Sequence, residues 1–131
     1  MTPSPDILAT PYNGCPFCQI AAGWLTAEVI CSWMATTMPA LAIRPLNPVT
    51  PGHMLVIPMA HVPDFTTRPD LSAGLMAHAA DLADAVGGDM NIISSKGPAA
   101  TQTVFHLHLH LVPRTAGDGL ALPWTNQEGT P

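Results

Sequence analysis

Residues 103–114 read TVFHLHLHLVPR, and three histidines alternate there with leucines. Side chains of a β-strand point to opposite faces in turn, so this run predicts a strand over residues 103–112 that ends at Pro113. His106, His108 and His110 then share one face of that strand. The opposite face is apolar and is expected to pack into the core through Phe105, Leu107, Leu109 and Leu111.

Neighbouring imidazoles on one strand face lie about 6.5–7 Å apart, a spacing that can span a phosphate group with its attacking and departing atoms. Neutral imidazole is a nucleophile, and it titrates close to physiological pH. One ring can attack phosphorus while a neighbouring ring donates hydrogen bonds to the phosphoryl oxygens. The preceding loop adds the hydroxyls of Thr101 and Thr103 and the amide of Gln102 as further phosphate contacts.

Two other interpretations of the histidines remain open from the residues alone. The rings can be surface-facing strand residues without a role, or two of them can chelate zinc. A catalytic metal site normally adds a carboxylate or a third histidine with an open position. The two glutamates of the chain, Glu28 and Glu128, both lie away from the motif.

Composition narrows the class of protein. The chain has 131 residues, of which 47% are hydrophobic and 10% charged, so we expect one folded domain. The net charge is −5 with only four cations, which argues against the basic face that nucleic-acid binders use. Apolar runs are far shorter than the roughly 20 residues of a membrane helix, and the N-terminus lacks the pattern of an export signal. A cytoplasmic protein with a small ligand is therefore expected.

The cysteines raise a separate question. Cys15, Cys18 and Cys31 make an odd number, which argues against a disulfide framework in this compartment. Cys15 and Cys18 form a C-x-x-C pair, which fits a redox pair, half of a metal site or chance.

The organisation along the chain predicts an N-terminal arm over residues 1–14, one domain over 15–124 and a C-terminal tail over 125–131. Pro69 suits the first turn of a long helix, and Gly87 with Gly88 ends it. The class is α+β, with a five-stranded, largely antiparallel sheet. Helices are expected over residues 16–24 and 68–88, and strands over 28–35, 38–45, 53–59, 89–95 and 103–112.

The segment from His106 to Val112 resembles the His-φ-His-φ-His-φ-φ signature of the histidine-triad (HIT) family, in which φ is apolar. The resemblance covers about residues 15–124. It also rests on CPFCQI (15–20), PGHMLVIPMAH (51–61), GDMNIISS (88–95) and TQTVFH (101–106). It implies a five-stranded antiparallel sheet with one long helix, a homodimer, and nucleotidyl hydrolase or transferase chemistry.

The same resemblance implies a role for each matching residue. His108 would attack the α-phosphate of a nucleotide conjugate, such as a nucleoside phosphoramidate or a dinucleoside polyphosphate. A nucleotidyl-histidine would form and then release a nucleoside monophosphate. His110 would bind phosphate oxygens, and His53 would lie close to the triad and help to set it. The apolar slot for the base would be formed by Phe17, Ile20 and Ile43.

A structural zinc site is implied in the same way. The matching ligands are Cys15, Cys18, His61 and the first triad histidine, His106. Two thiolates and two imidazoles make a closed tetrahedral set, which is typical of structural zinc. The alternative is a reduced cysteine pair beside an ordinary histidine, without metal.

Three positions depart from the family pattern. Pro45 stands where many members have an acidic residue or Asn that holds the ribose hydroxyls. Ser95 stands where an Asn is frequent and can still hydrogen-bond phosphate, with a shorter reach, and Thr101 replaces a loop glycine. These departures bear on substrate preference. They also leave room for a second function, a non-catalytic zinc-containing protein that binds a nucleotide, whereas the charge disfavours a DNA-end-processing relative.

Overall fold

The computed structural model describes residues 14–125. The predicted arm and tail lie outside this range except for Gly14 and Thr125. Within it the chain forms five strands, two α-helices and one 3₁₀ turn. The elements are α1 (Pro16–Ala21), β1 (Val29–Ser32), β2 (Ala40–Ile43), β3 (Met54–Pro58), α2 (Pro69–Val86), β4 (Asp89–Ile93), the 3₁₀ turn (Pro98–Ala100) and β5 (Leu109–Arg114).

The five strands form one antiparallel sheet in the order β1-β2-β3-β5-β4. This confirms the expected α+β architecture with one long and one short helix. Pro69 lies in the first turn of α2, and Gly87 ends the helix at φ 77°, a conformation that glycine adopts without strain. Within residues 14–125, none of the helices combines the length and the hydropathy that a membrane span requires.

The two faces of the sheet carry two separate apolar clusters. One face packs under α2, through Leu71, Leu75 and Ala79 of the helix. The opposite face, the α1 side, packs against the short helix. Its buried cluster consists of Cys15, Phe17, Cys18, Leu41, Ile43, Leu55 and Ile57. β5 lies between β3 and β4. Because side chains alternate along a strand, those of β5 pack on both faces of the sheet.

The predicted alternation in the last strand is largely confirmed. Leu107, Leu109 and Leu111 are buried in the cluster under α2. His110 is paired with Leu55 of β3 and so lies on the α1 side of the sheet. Phe105 was expected in the core, but it is 49% exposed, because it lies before the point where the chain joins the sheet.

The bounds of β5 differ from the prediction. The strand begins at Leu109, not at residue 103, because the preceding backbone is held by the loop after β3. The N–H of Leu107 donates to the carbonyl of Val62 at 2.7 Å, and the His106 ring donates to the carbonyl of Pro58 at 2.9 Å.

At its other end β5 continues through Pro113 to Arg114, although Pro113 was expected to end it. β3 begins only at Met54, opposite Leu111, so Pro113 has no β3 residue to pair with and pairs with Met90 of β4 alone. A proline, which has no N–H, is tolerated where one neighbour is missing.

Candidate active site and metal cluster

Four side chains from three parts of the chain meet at the N-terminus of α1. Their ligand atoms, two thiol sulfurs and two imidazole nitrogens, all lie within 4.8 Å of one another. Cys15 caps the helix, since its Sγ accepts a hydrogen bond from the backbone N–H of Cys18 at 3.3 Å. The metal cluster, as it is called below, consists of Cys15, Cys18, His61 and His106.

Four of the distances between these atoms are within about 0.5 Å of those around a tetrahedral ion. Sγ of Cys18 lies 3.1 Å from Nδ1 of His61 and 3.4 Å from Nδ1 of His106. Sγ of Cys15 lies 3.4 Å from Nδ1 of His106, and the two Nδ1 atoms are 3.2 Å apart. With Zn–S of about 2.3 Å and Zn–N of about 2.05 Å, tetrahedral geometry requires about 3.6 Å between sulfur and nitrogen and about 3.3 Å between nitrogens. The residues present therefore fit zinc.

The proton positions also suit a metal. Nε2 of His106 faces the Pro58 carbonyl, which can only accept, so Nε2 carries the hydrogen and Nδ1 presents its lone pair to the cluster. Burial, with small contributions from His61 and His108, lowers the pKa of His106 to about 4. Burial and the neighbouring Cys15 thiol raise the pKa of Cys18 to about 12. The raised pKa favours the neutral thiol, whereas a bound divalent cation would favour the thiolate.

The tautomer of His108, the next histidine of the triad, is fixed as well. Nδ1 of His108 lies 2.7 Å from the backbone carbonyl of His106 and must donate to it. Nε2 of His108 therefore holds a free lone pair whenever the ring is neutral. Burial lowers the pKa of His108, which favours the neutral, nucleophilic form.

A chain of hydrogen bonds fixes the third histidine from the other side. The backbone N–H of Val49 donates to Nδ1 of His53 at 3.1 Å, so the hydrogen of the His53 ring is on Nε2. That Nε2 donates to Nδ1 of His110 at 3.0 Å, which leaves an N–H at Nε2 of His110. Burial, together with His108 and His53 nearby, lowers the pKa of His110 to about 4. Neutral His110 is thus a hydrogen-bond donor whose ring centroid lies 5.0 Å from that of His108.

The residues proposed for the base slot come together beside the triad. Phe17 and Ile43 are buried in the cluster on the α1 side, and Ile20 packs against it. The ring of Phe17 meets that of His108 edge-on, with centroids 5.0 Å apart and an interplanar angle of 79°. Pro45 lies half-buried just after β2.

Gln102, which was predicted as a phosphate contact, makes three hydrogen bonds to backbone groups. Its side chain is buried, and its amide nitrogen donates to the carbonyls of Pro63 and Val104 at 2.6 and 3.1 Å. Its oxygen accepts from the N–H of Gly97 at 2.8 Å. Both amide hydrogens are therefore used to hold the loop in front of the triad.

The two threonines beside Gln102, Thr101 and Thr103, are exposed. Thr101 has φ 68° and ψ 21°, the left-handed conformation that a β-branched residue rarely adopts. It occupies the position where the resemblance places glycine.

Sequence reasoning selected Ser95 as a candidate site residue and missed its neighbour Ser94. Ser94 follows β4 directly, and its Oγ donates to the backbone carbonyl of His108 at 2.8 Å. This bond fixes the backbone of the candidate nucleophile from the β4 side. No sequence pattern marks this bond, because Ser94 lay inside the strand predicted over residues 89–95 and its acceptor is a main-chain oxygen. Ser95 is half-buried next to it.

The arginines of the chain are already paired. All three arginines form ion pairs, Arg44 with Glu28, Arg68 with Asp70 and Arg114 with Asp118. Arg114 holds the turn after β5 through both oxygens of the Asp118 carboxylate, at 2.8 and 3.0 Å. Within residues 14–125, Lys96, in the loop before the triad, is the one lysine or arginine outside these three ion pairs. An anion at the triad would thus find no unpaired arginine and would depend on imidazole N–H groups, hydroxyls, the backbone or this ammonium group.

The sequence is similar to known proteins over most of its length. A protein-family model for the HIT domain matches residues 27–117. The chain is 33% identical over 118 residues to the adenylylsulfatase HINT3 of Arabidopsis thaliana, covering 86% of this chain and 58% of that protein. It is 30% identical over 120 residues to the adenosine 5'-monophosphoramidase hnt1 of Schizosaccharomyces pombe, covering 89% and 87% of the two chains.

A solved structure is similar as well. The zinc-bound histidine triad family protein of Mycobacterium smegmatis superposes with a TM-score of 0.74 at 40% identity, covering 83% of this chain and 81% of that one. The family model spans most of the described residues, and the relatives align with most of this chain. The protein is therefore a member of the HIT-domain family.

Proposed function

We propose that this protein cleaves small nucleotide conjugates at the α-phosphate through a covalent intermediate on His108. The observation that carries the proposal is the 2.7 Å hydrogen bond from Nδ1 of His108 to the His106 carbonyl, which leaves a lone pair on Nε2. The names of the two curated relatives, an adenylylsulfatase and an adenosine 5'-monophosphoramidase, support a conjugate of a nucleoside monophosphate as the substrate.

The reaction would proceed in two displacements. Nε2 of His108 forms a bond to the α-phosphorus while the bond from phosphorus to the leaving group breaks, and the leaving group takes up a proton from solvent. Water then attacks the phosphorus and gives up a proton to solvent, the electron pair of the N–P bond returns to Nε2, and the nucleoside monophosphate is released. Another acceptor in place of water would carry away the nucleotidyl group. The Nε2–H of His110 would stabilise charge on the phosphoryl oxygens in both transition states.

The metal cluster would hold structural zinc, which when bound would neutralise two thiolates and tie α1 to the sheet. Phe17, Ile20 and Ile43 would receive the base. The resemblance also implies a homodimer, which native mass of the intact protein would test together with one zinc per chain.

The decisive experiment compares wild type with His108→Ala on an adenosine 5'-phosphoramidate and on a dinucleoside polyphosphate, with AMP release as the measurement. We expect His108→Ala to lose at least about a thousandfold in rate, because a covalent nucleophile has no substitute. His78→Ala is the matched control, because His78 lies on α2 with its ring stacked on Trp33, on the other side of the sheet.

Intact mass after brief mixing would detect the nucleotidyl adduct on wild type and its loss in His108→Ala. Wild-type turnover in His108→Ala would refute His108 as the nucleophile. Binding of AMP by wild type without turnover and without an adduct would instead support the non-catalytic nucleotide binder, for which the missing ribose acceptor at Pro45 is the motive.

A further inference from the structure

Helix α1 carries one side chain that contacts both the metal cluster and the candidate nucleophile. Phe17 lies between Cys15 and Cys18 in sequence and is buried to 7% exposure. Its ring meets His106 edge-on at 5.8 Å between centroids and meets His108 edge-on at 5.0 Å. The two cysteines that flank it both belong to the metal cluster, so the place of the Phe17 ring depends on how they are held.

His106 forms a second link between the same two places. Its side chain is fixed at Nε2 by the Pro58 carbonyl and contributes Nδ1 to the metal cluster. Its backbone carbonyl accepts the Nδ1–H of His108. The nucleophile is therefore held at Nδ1 by a hydrogen bond and contacted in a T-shaped arrangement by the Phe17 ring.

We propose that Phe17 is a positioning residue for His108, which keeps the imidazole in the orientation that holds its Nδ1–H on the His106 carbonyl. This inference rests on the proposed function. One hydrogen bond fixes a single atom of the ring, and a second contact is needed to stop the ring from turning away from it. Edge-on aromatic pairs contribute about 0.5–1.5 kcal/mol beyond burial, which corresponds to about a threefold to tenfold effect on rate.

A residue that orients the nucleophile and a residue that only binds the base have different effects on kcat and KM. A residue that only binds the base changes KM, because it acts equally on the bound substrate and the transition state. A residue that orients the nucleophile changes kcat, and it also changes the imidazole tautomer of the protein without substrate.

The experiment compares Phe17→Leu, Phe17→Tyr and Leu41→Val with wild type. The readouts are the imidazole ¹⁵N shifts of His108 at neutral pH without substrate, kcat and KM for an adenosine 5'-phosphoramidate, and zinc content. Leu41 is the matched control, because it is buried in the same apolar cluster and lies on β2. Phe17→Met is a second truncation, to be used if Phe17→Leu does not fold.

We expect Phe17→Leu to convert the single Nδ1–H tautomer of His108 into a mixture and to lower kcat about threefold to tenfold. Phe17→Tyr should restore both, and Leu41→Val should change neither while lowering the melting temperature. An unchanged tautomer in Phe17→Leu, or an effect on KM alone, would overturn the inference. A shifted tautomer together with full activity of His108→Ala would leave the positioning in place and refute the proposed function.

Discussion

Nε2 of His53 lies 3.0 Å from Nδ1 of His110. This contact connects the residue just before β3 to the second residue of β5. Because the backbone N–H of Val49 fixes the His53 tautomer, the bond has one direction, from His53 to His110. A loop amide thereby determines which nitrogen of His110 can donate to a ligand.

Replacing His53 should weaken catalysis without removing it. We expect His53→Ala to lower kcat about threefold to tenfold, since a lost hydrogen bond is worth about 0.5–1.5 kcal/mol. His53→Gln should recover part of the rate, because a side-chain amide can donate to Nδ1 of His110. The measurement is AMP release at saturating substrate. Equal rates for His53→Ala and wild type would show that this hydrogen bond does not contribute to catalysis.

The zinc content of cysteine variants should distinguish the cysteines of the metal cluster from Cys31. We expect one zinc per chain in wild type and in Cys31→Ala, and none in Cys18→Ala, because Cys31 lies on β1 outside the metal cluster. Structural zinc contributes about 10–16 kcal/mol of apparent binding free energy in small peptides, so Cys18→Ala should also melt at a markedly lower temperature. Metal analysis of purified protein and thermal melts test this, and zinc retained at full stoichiometry by Cys18→Ala would contradict it.

Stability should fall in mild acid because of His110. Its pKa is lowered to about 4 by burial and by the two nearby imidazoles, whereas the unfolded chain takes up the proton near 6.5. Between these values the unfolded state binds more protons, so the free energy of unfolding decreases as pH falls from about 6.5 to about 4.

A pKa lowered from 6.5 to about 4 corresponds to about 3.4 kcal/mol at about 1.4 kcal/mol for each pKa unit. Because the His110 ring is only partly buried, solvent screening reduces the contribution of this group to about 1–3 kcal/mol. Urea unfolding of wild type and His110→Gln at matched pH values isolates it, since the metal ligands are common to both proteins. We expect His110→Gln to lose less stability over this range. Parallel pH profiles for the two proteins would refute the prediction.

Thr101 offers a stabilising substitution. A β-branched residue at φ 68° costs about 1–2 kcal/mol, and the extra freedom that glycine has in the unfolded chain costs about 0.4–1 kcal/mol. Thr101→Gly should therefore raise the free energy of unfolding by about 0.5–1 kcal/mol in urea titrations. Thr103→Gly, an exposed neighbour without positive φ, should be neutral or destabilising. A loss of stability in Thr101→Gly would show that the threonine side chain contributes more than its strain costs.

The period-two pattern of residues 106–111 was sufficient to assign leucines and histidines to opposite sides of the sheet, because a buried sheet tolerates only one assignment. The same pattern could not locate the start of β5. That boundary depends on the Pro58 and Val62 carbonyls, which lie 48 and 45 residues away from their donors in the chain. For this reason Phe105 was wrongly expected in the core.

The metal cluster was predicted as a set from the family resemblance, and the structure brings its four members together. The hydrogen-bond partners of individual side chains were harder to predict. Gln102 turns its amide to Pro63, 39 residues earlier, and Ser94 bonds a main-chain oxygen that no sequence pattern marks. Such bonds depend on backbone groups, which every residue carries alike, so side-chain identity does not reveal them.

The alternation of leucine and histidine before and within β5 also limits how this gene segment can change. Adding or deleting one codon between His106 and His110 would rotate every later side chain to the opposite side. Leucines would then face the ligand, and imidazoles would be forced beneath α2 without partners. Point changes can be tolerated here one at a time, whereas variation in length must be absorbed by the loops outside residues 106–114.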